Sequence, residues 1–270
     1  MKSLPVEMSP QPDDVTCGPT CLTALYRYFG EEVSVDAVRG EVAQLAGGGT
    51  LAVILGCHAL KRGYSAEIYT YNLQVFDPTW WAPGPSVIRE RLLAQRAFKQ
   101  GRKKLDVATD AYLEFLDLGG VIRFQDLTPR LISGFIDAGV PIITGVSATY
   151  LYRTAREYGP TDEYDDIRGE PSGHFIVICG YDPGSRHVIV ADPLLENPLS
   201  SDLHYEVEVD RLLNSILLGI LTYDANLLVI RPRRSGVPSR AQAPAAEPPG
   251  AARASEPPTG GVDPTGAPSS

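Results

Sequence analysis

An α+β domain is what this sequence predicts, on three observations. Apolar residues recur at helical spacing through the first half, as in Cys21, Leu22, Leu25, Tyr26 and Phe29. From about residue 140 the pattern changes to short strand-like runs such as Phe175-Ile-Val-Ile-Cys-Gly-Tyr181 and His187-Val-Ile-Val-Ala191. The stretch from about 234 to 270 is Pro, Ala, Gly, Ser and a few charges, a composition that cannot bury a core. The expected organisation is therefore one domain over residues 1–233, its helical part preceding its sheet, and a disordered tail over 234–270.

The elements follow in order. Residues 1–16, rich in Pro and Asp, read as an extended lead-in. The first helix opens at Cys17-Gly18-Pro19, since proline is tolerated in a first turn where its missing N–H has no partner anyway, and Gly30 supplies the stop. A second helix is expected over 31–46, with Ser34 as N-cap and Val35, Val38, Val42 and Leu45 on one face. Gly47-Gly48-Gly49 breaks it. No strand precedes that run and no Gly-Lys-Ser/Thr follows, so it reads as a connector rather than a phosphate loop. A third helix over 50–61 closes at Gly63 and carries His58, read as a packed side chain. Residues 64–71 alternate as a strand, and Trp80-Trp81 anchor the loop after it. Residues 86–104 form a basic helix with Arg89, Arg91, Arg96, Lys99, Arg102, Lys103 and Lys104. A solvated face is its plainer reading, and a docking face for a protein partner the other. Helices are expected over 106–118 and 128–138, and strands over 140–146, 175–181, 187–191, 205–209 and 227–230. Asp182-Pro183-Gly184-Ser185 is a hairpin signal.

Composition narrows the function. The formal net charge of -9 argues against nucleic acid or an anionic membrane as the main partner. The N-terminus has no apolar run of signal-peptide length. No stretch approaches the roughly 18 uninterrupted apolar residues of a transmembrane helix, so no membrane partner and a cytoplasmic location are expected. Four cysteines, Cys17, Cys21, Cys57 and Cys179, form no C-x-x-C pair, which points to reduced thiols. No metal site and no cofactor are expected.

One stretch carries chemistry. Cys17 stands at the mouth of a helix, where unpaired N–H groups and the macrodipole favour negative charge, a setting suited to a thiolate nucleophile. A nucleophilic thiol needs a base, an orienter for that base and donors for a developing oxyanion. His174 opens the strand over 175–181 and is the candidate base; His187 and His204 read as surface residues. Asp192 ends the partner strand and is the candidate orienter. With Pro183 as pivot, His174 and Asp192 pair directly, provided the loop is Asp182-Pro183-Gly184 with Gly184 left-handed, or a bulge does the same work; a two-residue loop would set them on opposite faces. Gln11 supplies a neutral donor beside the Cys17 backbone N–H. Gln11, Cys17, His174 and Asp192 thus cover the roles of acyl transfer. Cys21, Cys57 and Cys179 read as core residues.

The segment Gln11 to Leu22, Q-x5-C-G-P-T-C-L, resembles the start of the C39-type cysteine peptidase family of the papain-like superfamily, and the segments 174–182 and 190–193 resemble its His and Asp segments. The resemblance implies a papain-like fold, with the nucleophile helix packed on a C-terminal antiparallel sheet. It also implies thiol-dependent hydrolysis of a peptide or amide bond in a peptide or protein substrate: Cys17 as nucleophile, His174 as base, Asp192 as orienter and Gln11 as oxyanion donor. The same acyl-enzyme resolved by an amine makes a transferase or ligase, and a silent peptide-binding module is the reading from outside enzymes. The best-known members are fused to a transporter and cut leader peptides after Gly-Gly; with no transmembrane or ATP-binding part, this chain looks more like the stand-alone forms. Asp162, Glu163, Asp165, Asp166 and Glu170, just before His174, suggest a preference for basic or amine-bearing substrates, with solvated loop charge as the plainer reading.

Overall fold

A computed structural model describes residues 1–45, 48–82, 84, 87–159 and 163–233. The expected tail over 234–270 lies outside the described residues, as do Ala46, Gly47, Ser86 and Asp162.

The lead-in contributes β1 (Lys2–Ser3), and α1 (Cys17–Tyr28) follows. Gly30 ends α1 with φ +86, a left-handed conformation that costs a residue without Cβ little. α2 (Val35–Glu41) begins as expected, with the Ser34 side chain accepting from Ala37 N–H, but it is shorter than 31–46. Val42 is already extended, and Leu45 N–H turns back to the Gly49 carbonyl instead of continuing the helix. α3 (Ala52–Lys61) leads into β2 (Tyr64–Thr70). Inside α3, His58 is packed as expected: Nδ1 meets Tyr26 Oη at 2.8 Å and Nε2 meets Glu41 Oε2 at 2.9 Å. Trp81 stacks on Phe124 with ring centroids 5.0 Å apart, anchoring its loop.

The expected single basic helix over 86–104 is two elements. α4 (Ile88–Phe98) ends before Gly101, which takes φ +82, and α5 (Lys103–Asp117) folds back against it. A straight helix would leave Ile88 and Leu92 in water; the reversal buries both. It also pairs Arg89 with Asp117 and Arg96 with Asp110, so part of the basic face is neutralised within the domain. β3 (Val121–Arg123), which carries no sequence signal of its own, pairs parallel with β2. α6 (Pro129–Asp137) starts from Thr128, whose hydroxyl caps Leu131 N–H.

β4 (Ile142–Ser147) and α7 (Ala148–Tyr152) come next, then a small hairpin of β5 (Glu157–Tyr158) and β6 (Glu163–Tyr164). β7 (Gly173–Asp182), β8 (His187–Ala191), β9 (His204–Glu208), α8 (Val209–Leu218) and β10 (Asn226–Pro232) complete the described chain. The main sheet runs β3-β2-β10-β4-β7-β8-β9, with β1 added along β7; apart from β2 and β3, its pairs are antiparallel. α1 lies on β7 and α3 on β2 and β10. Gly18 permits the close approach of α1, because a Cβ there would stand 2.7 Å from Thr50 Cγ2 and 3.3 Å from Phe175 Cδ2. The α+β class is borne out: a helix beginning at Cys17 packs on a largely antiparallel sheet. No described helix is long and apolar enough to cross a membrane.

Candidate active site

Cys17 is the first residue of α1, so its N–H has no partner within the helix. Thr16 occupies the N-cap position, but its hydroxyl is spent on Asp13, donating to the Asp13 carbonyl at 3.0 Å, and caps no helical N–H. Pro19 removes a further donor from the turn. The helix mouth is thus left with uncapped N–H groups directed at the thiol's surroundings, where an anion is favoured. One turn on, Cys21 Sγ lies 3.3 Å from the Phe175 carbonyl, stitching α1 to β7 immediately after His174.

His174 is the second residue of β7, paired to Val146 of β4. Asp192 lies just past β8 and donates its N–H to the Leu203 carbonyl. The two meet: His174 Nε2 is 2.8 Å from Asp192 Oδ1, with their side chains 8% and 0% exposed.

They do not meet by the expected register. The hairpin closes on Asp182↔His187 around four residues, 183–186, and Arg186 takes the left-handed conformation at φ +58 instead of Gly184. A four-residue loop alone would leave residues 174 and 192 on opposite faces, because faces alternate along each strand. A bulge corrects this. Between Ile178 and Gly180 the register shifts, so Cys179 has no opposite residue on β8, and Val177 faces Ala191. Continuing that register one step sets Ile176 opposite Asp192, which makes His174 and Asp192 diagonal neighbours on one face. A diagonal gap is about 7–8 Å between Cα atoms, within reach of an imidazole and a carboxylate. The bulge's carbonyl is taken up by the lead-in, with Leu4 N–H donating to Cys179 O at 2.7 Å.

Two residues with no assigned role in the sequence complete the carboxylate's surroundings. Tyr152 of α7 and Tyr205 of β9 each donate a hydroxyl to Asp192 Oδ2 at 2.7 Å, and Leu194 N–H donates to Oδ1 at 2.9 Å. Tyr205 carried a faint signal, an inward position in an alternating strand; Tyr152 sits on a five-residue helix with none.

Electrostatics follow the geometry. Burial disfavours an imidazolium at His174, but the Asp192 carboxylate and then Cys17 more than compensate, and the ring's pKa stands well above the ordinary histidine value. Burial likewise works against the Asp192 anion, yet His174, the Tyr152 hydroxyl and Leu194 N–H hold its pKa below the usual carboxylate value. Burial first, then the charges of Cys17 and Asp192, push the Cys21 thiol far up, so Cys21 is inert although it shares their neighbourhood.

Gln11 is held beside this cluster by its backbone, whose N–H donates to the Pro193 carbonyl at 2.9 Å, directly after Asp192. Its side-chain Nε2 donates to the Asp13 carbonyl at 2.9 Å. Of the acidic loop, Asp165 is committed locally, accepting from Ile167 N–H, Arg168 N–H and Arg168 Nε. Its charge therefore serves the loop's own turn before any ligand. Among the described residues no cluster of three or more His, Cys, Asp or Glu is arranged to hold a metal ion.

Residues 107–209 match the model of the Peptidase_C39 like family. That stretch contains His174 and Asp192 and stops short of Gln11 and Cys17. The resemblance to C39-type peptidases read from the sequence is borne out. No curated protein matches the chain. Among solved structures, a protein described as a C39-like peptidase from Bacillus anthracis has a TM-score of 0.48 and 14% identity, covering 86% of this chain and 98% of its own. The peptidase domain of Streptococcus ComA, a bi-functional ABC transporter involved in a quorum sensing pathway, has a TM-score of 0.40 and 15% identity over 84% of this chain and 99% of that one. A double glycine motif protease from an AMS/PCAT transporter, in complex with the leader peptide, has a TM-score of 0.40 and 13% identity, over 86% and 94% of the two chains. Identities this low bear on no individual residue here.

Proposed function

We propose that this chain, with its match to the Peptidase_C39 like family over residues 107–209, is a thiol peptidase that opens a peptide or amide bond through an acyl-enzyme. Cys17 gives its proton to His174 Nδ1, the ring nitrogen not engaged by Asp192, and the thiolate so formed attacks the carbonyl carbon. Asp192 fixes the ring and stabilises the imidazolium. The Cys17 N–H and the second Nε2 hydrogen of Gln11 receive the charge that develops on the carbonyl oxygen. His174 returns its proton to the leaving amine as the C–N bond breaks. Water, giving a proton to the same nitrogen, then attacks the acyl carbon; the acid leaves and Cys17 is restored.

The observation that carries this reading is the 2.8 Å bond from His174 Nε2 to the buried Asp192, with Cys17 acting on the same ring. It commits one ring nitrogen to a carboxylate and leaves the other for a thiol at a helix mouth.

The test is the rate at which a peptide bearing a thiol-reactive electrophile labels Cys17. Labelling of one equivalent is expected, abolished by Cys17→Ala and slowed at least about a hundredfold by His174→Ala, the lower end of what a positioned base contributes. Cys21, Cys57 and Cys179, 0%, 3% and 1% exposed against 9% for Cys17 and with thiol pKa values pushed up by burial, are expected to stay unlabelled in the folded protein. Labelling no faster than free cysteine, together with no effect of His174→Ala, sinks the reading. With a turned-over peptide in hand, the product shows whether water or an amine takes the acyl group.

A further inference from the structure

Tyr152 and Tyr205 reach Asp192 from different elements, α7 and β9, and both end on the same oxygen. We propose that these two tyrosines are positioning residues, which clamp Asp192 in its ionised form and turned so that Oδ1 alone meets His174. The proposal rests on the acyl-enzyme reading for what the clamp positions, and it has a readout independent of that reading.

Asp192 is excluded from solvent, so its oxygens can be satisfied only by neighbouring groups. The groups around it are His174 from β7, Tyr152 from α7, Tyr205 from β9, Cys21 from α1 and the Leu194 N–H after β8, with Cys17 acting on His174 from its far side. Of these only His174 can carry positive charge, and His174 Nε2 and the Leu194 N–H both serve Oδ1. Oδ2 would otherwise be a bare anionic oxygen in a buried site, and the carboxyl would take a proton or rotate. A protonated or rotated Asp192 no longer fixes the single proton of the neutral His174 ring on Nε2, and Nδ1 then ceases to be a dependable acceptor. Two phenols on Oδ2 prevent both. Tyr152 acts a second way: its ring lies against the imidazole, with centroids 6.2 Å apart and planes at 50°. It touches both members of the pair, whereas Tyr205 touches the carboxylate, and the clamp is therefore unequal.

The experiment uses full-length Tyr152→Phe, Tyr205→Phe and the double variant. The tautomer and titration of His174 are followed by nitrogen-15 NMR, and the alkylation rate of Cys17 is measured against pH. A hydrogen bond to a charged group corresponds to roughly one to two pH units of proton affinity. Each single variant is expected to move the acid limb of both titrations up by about one unit, because a carboxylate that has lost a donor protonates more readily. The double variant is expected to move it by about two and to show mixed tautomers of the neutral His174 ring, read above its titration. Tyr152→Phe is expected to reduce the alkylation plateau more than Tyr205→Phe. An unmoved acid limb and an unmixed tautomer in the double variant overturn the clamp; if the double variant does not fold, an unmoved limb in both single variants does so. A wild-type Cys17 no more reactive than free cysteine overturns the acyl-enzyme reading instead, and the His174 spectra still decide the clamp.

Discussion

Asp192→Asn is close to isosteric, and its cost follows from the donors that converge on two oxygens. Oδ1 accepts from His174 Nε2 and Leu194 N–H, and Oδ2 from the two phenols. An amide has one carbonyl oxygen, so one of these donor pairs must face an NH2 group. With the oxygen toward the tyrosines, the NH2 meets Leu194 N–H and His174 Nε2, and the ring must move its proton to Nδ1, the nitrogen required to accept from Cys17. With the oxygen toward His174, both phenols lose their anionic acceptor. In either orientation two hydrogen bonds to a charged group are lost, each about 1.5–3 kcal/mol. Part of this is offset because a buried anion, itself costly, is gone. The net loss is about 2–4 kcal/mol at pH 7, well above the scatter of surface substitutions. Urea unfolding at pH 7 and near pH 3 measures it. The Asp192 pKa is depressed in the folded state, so its contribution is present above the ordinary carboxylate value of about 3.9 and is lost as pH falls through the folded value. The gap between wild type and variant is expected to shrink toward pH 3. A loss below about 1 kcal/mol at pH 7, or a gap equal at both pH values, refutes the four-donor account.

Two further predictions concern the scaffold. Asp224 is buried, accepting from Ala52 N–H at the start of α3 and from Asn226 Nδ2, and burial pushes its pKa up to about 7. Its contribution is therefore present below about 4 and is lost as pH rises toward 7, so Asp224→Asn is expected to gain on wild type between pH 4 and pH 8 by on the order of 3 kcal/mol, read from urea midpoints; a difference that does not change with pH contradicts it. Gly56→Ala would place a Cβ 2.7 Å from Phe115 Cε2 and 3.3 Å from Leu228 Cδ1, inside the contact of α3 with α5 and the sheet. Overpacking costs about 1–3 kcal/mol and the gain in helix propensity returns about 1, so the thermal midpoint is expected to fall by a few degrees; a rise counts against so tight a contact.

Much of the local structure was legible because it depends on near neighbours. Ser34 and Thr128 cap α2 and α6 with their own hydroxyls, an interaction confined to a few residues. The strand over 64–71 follows from alternation, and that over 175–181 from an apolar run bounded by a turn signal. The split between α4 and α5 was not legible, since the charges of 86–104 suit a helix throughout and only the need to bury Ile88 and Leu92 against α5 selects the reversal. β3 was missed for a similar reason: three residues carry no pattern, and its pairing with β2 is parallel and distant in the chain. Gln11 was placed beside Cys17 from sequence order, but its attachment to Pro193 is a backbone bond no side-chain pattern announces.

The sequence by itself determined that a cysteine opens a buried helix, with a glutamine shortly before it, and that a histidine and an aspartate flank a hairpin far downstream. These are statements about periodicity, caps and turn residues, all set within a few positions. Only the tertiary structure decided that His174 and Asp192 share a face. That outcome depends on two departures from the simplest hairpin, a four-residue loop and a bulge at Cys179, each of which alone would turn the side chains apart. Tertiary structure also brought Tyr152 and Tyr205 onto one oxygen of Asp192. A buried carboxylate takes its donors from whatever elements surround it in space, and sequence distance places no limit on which those are.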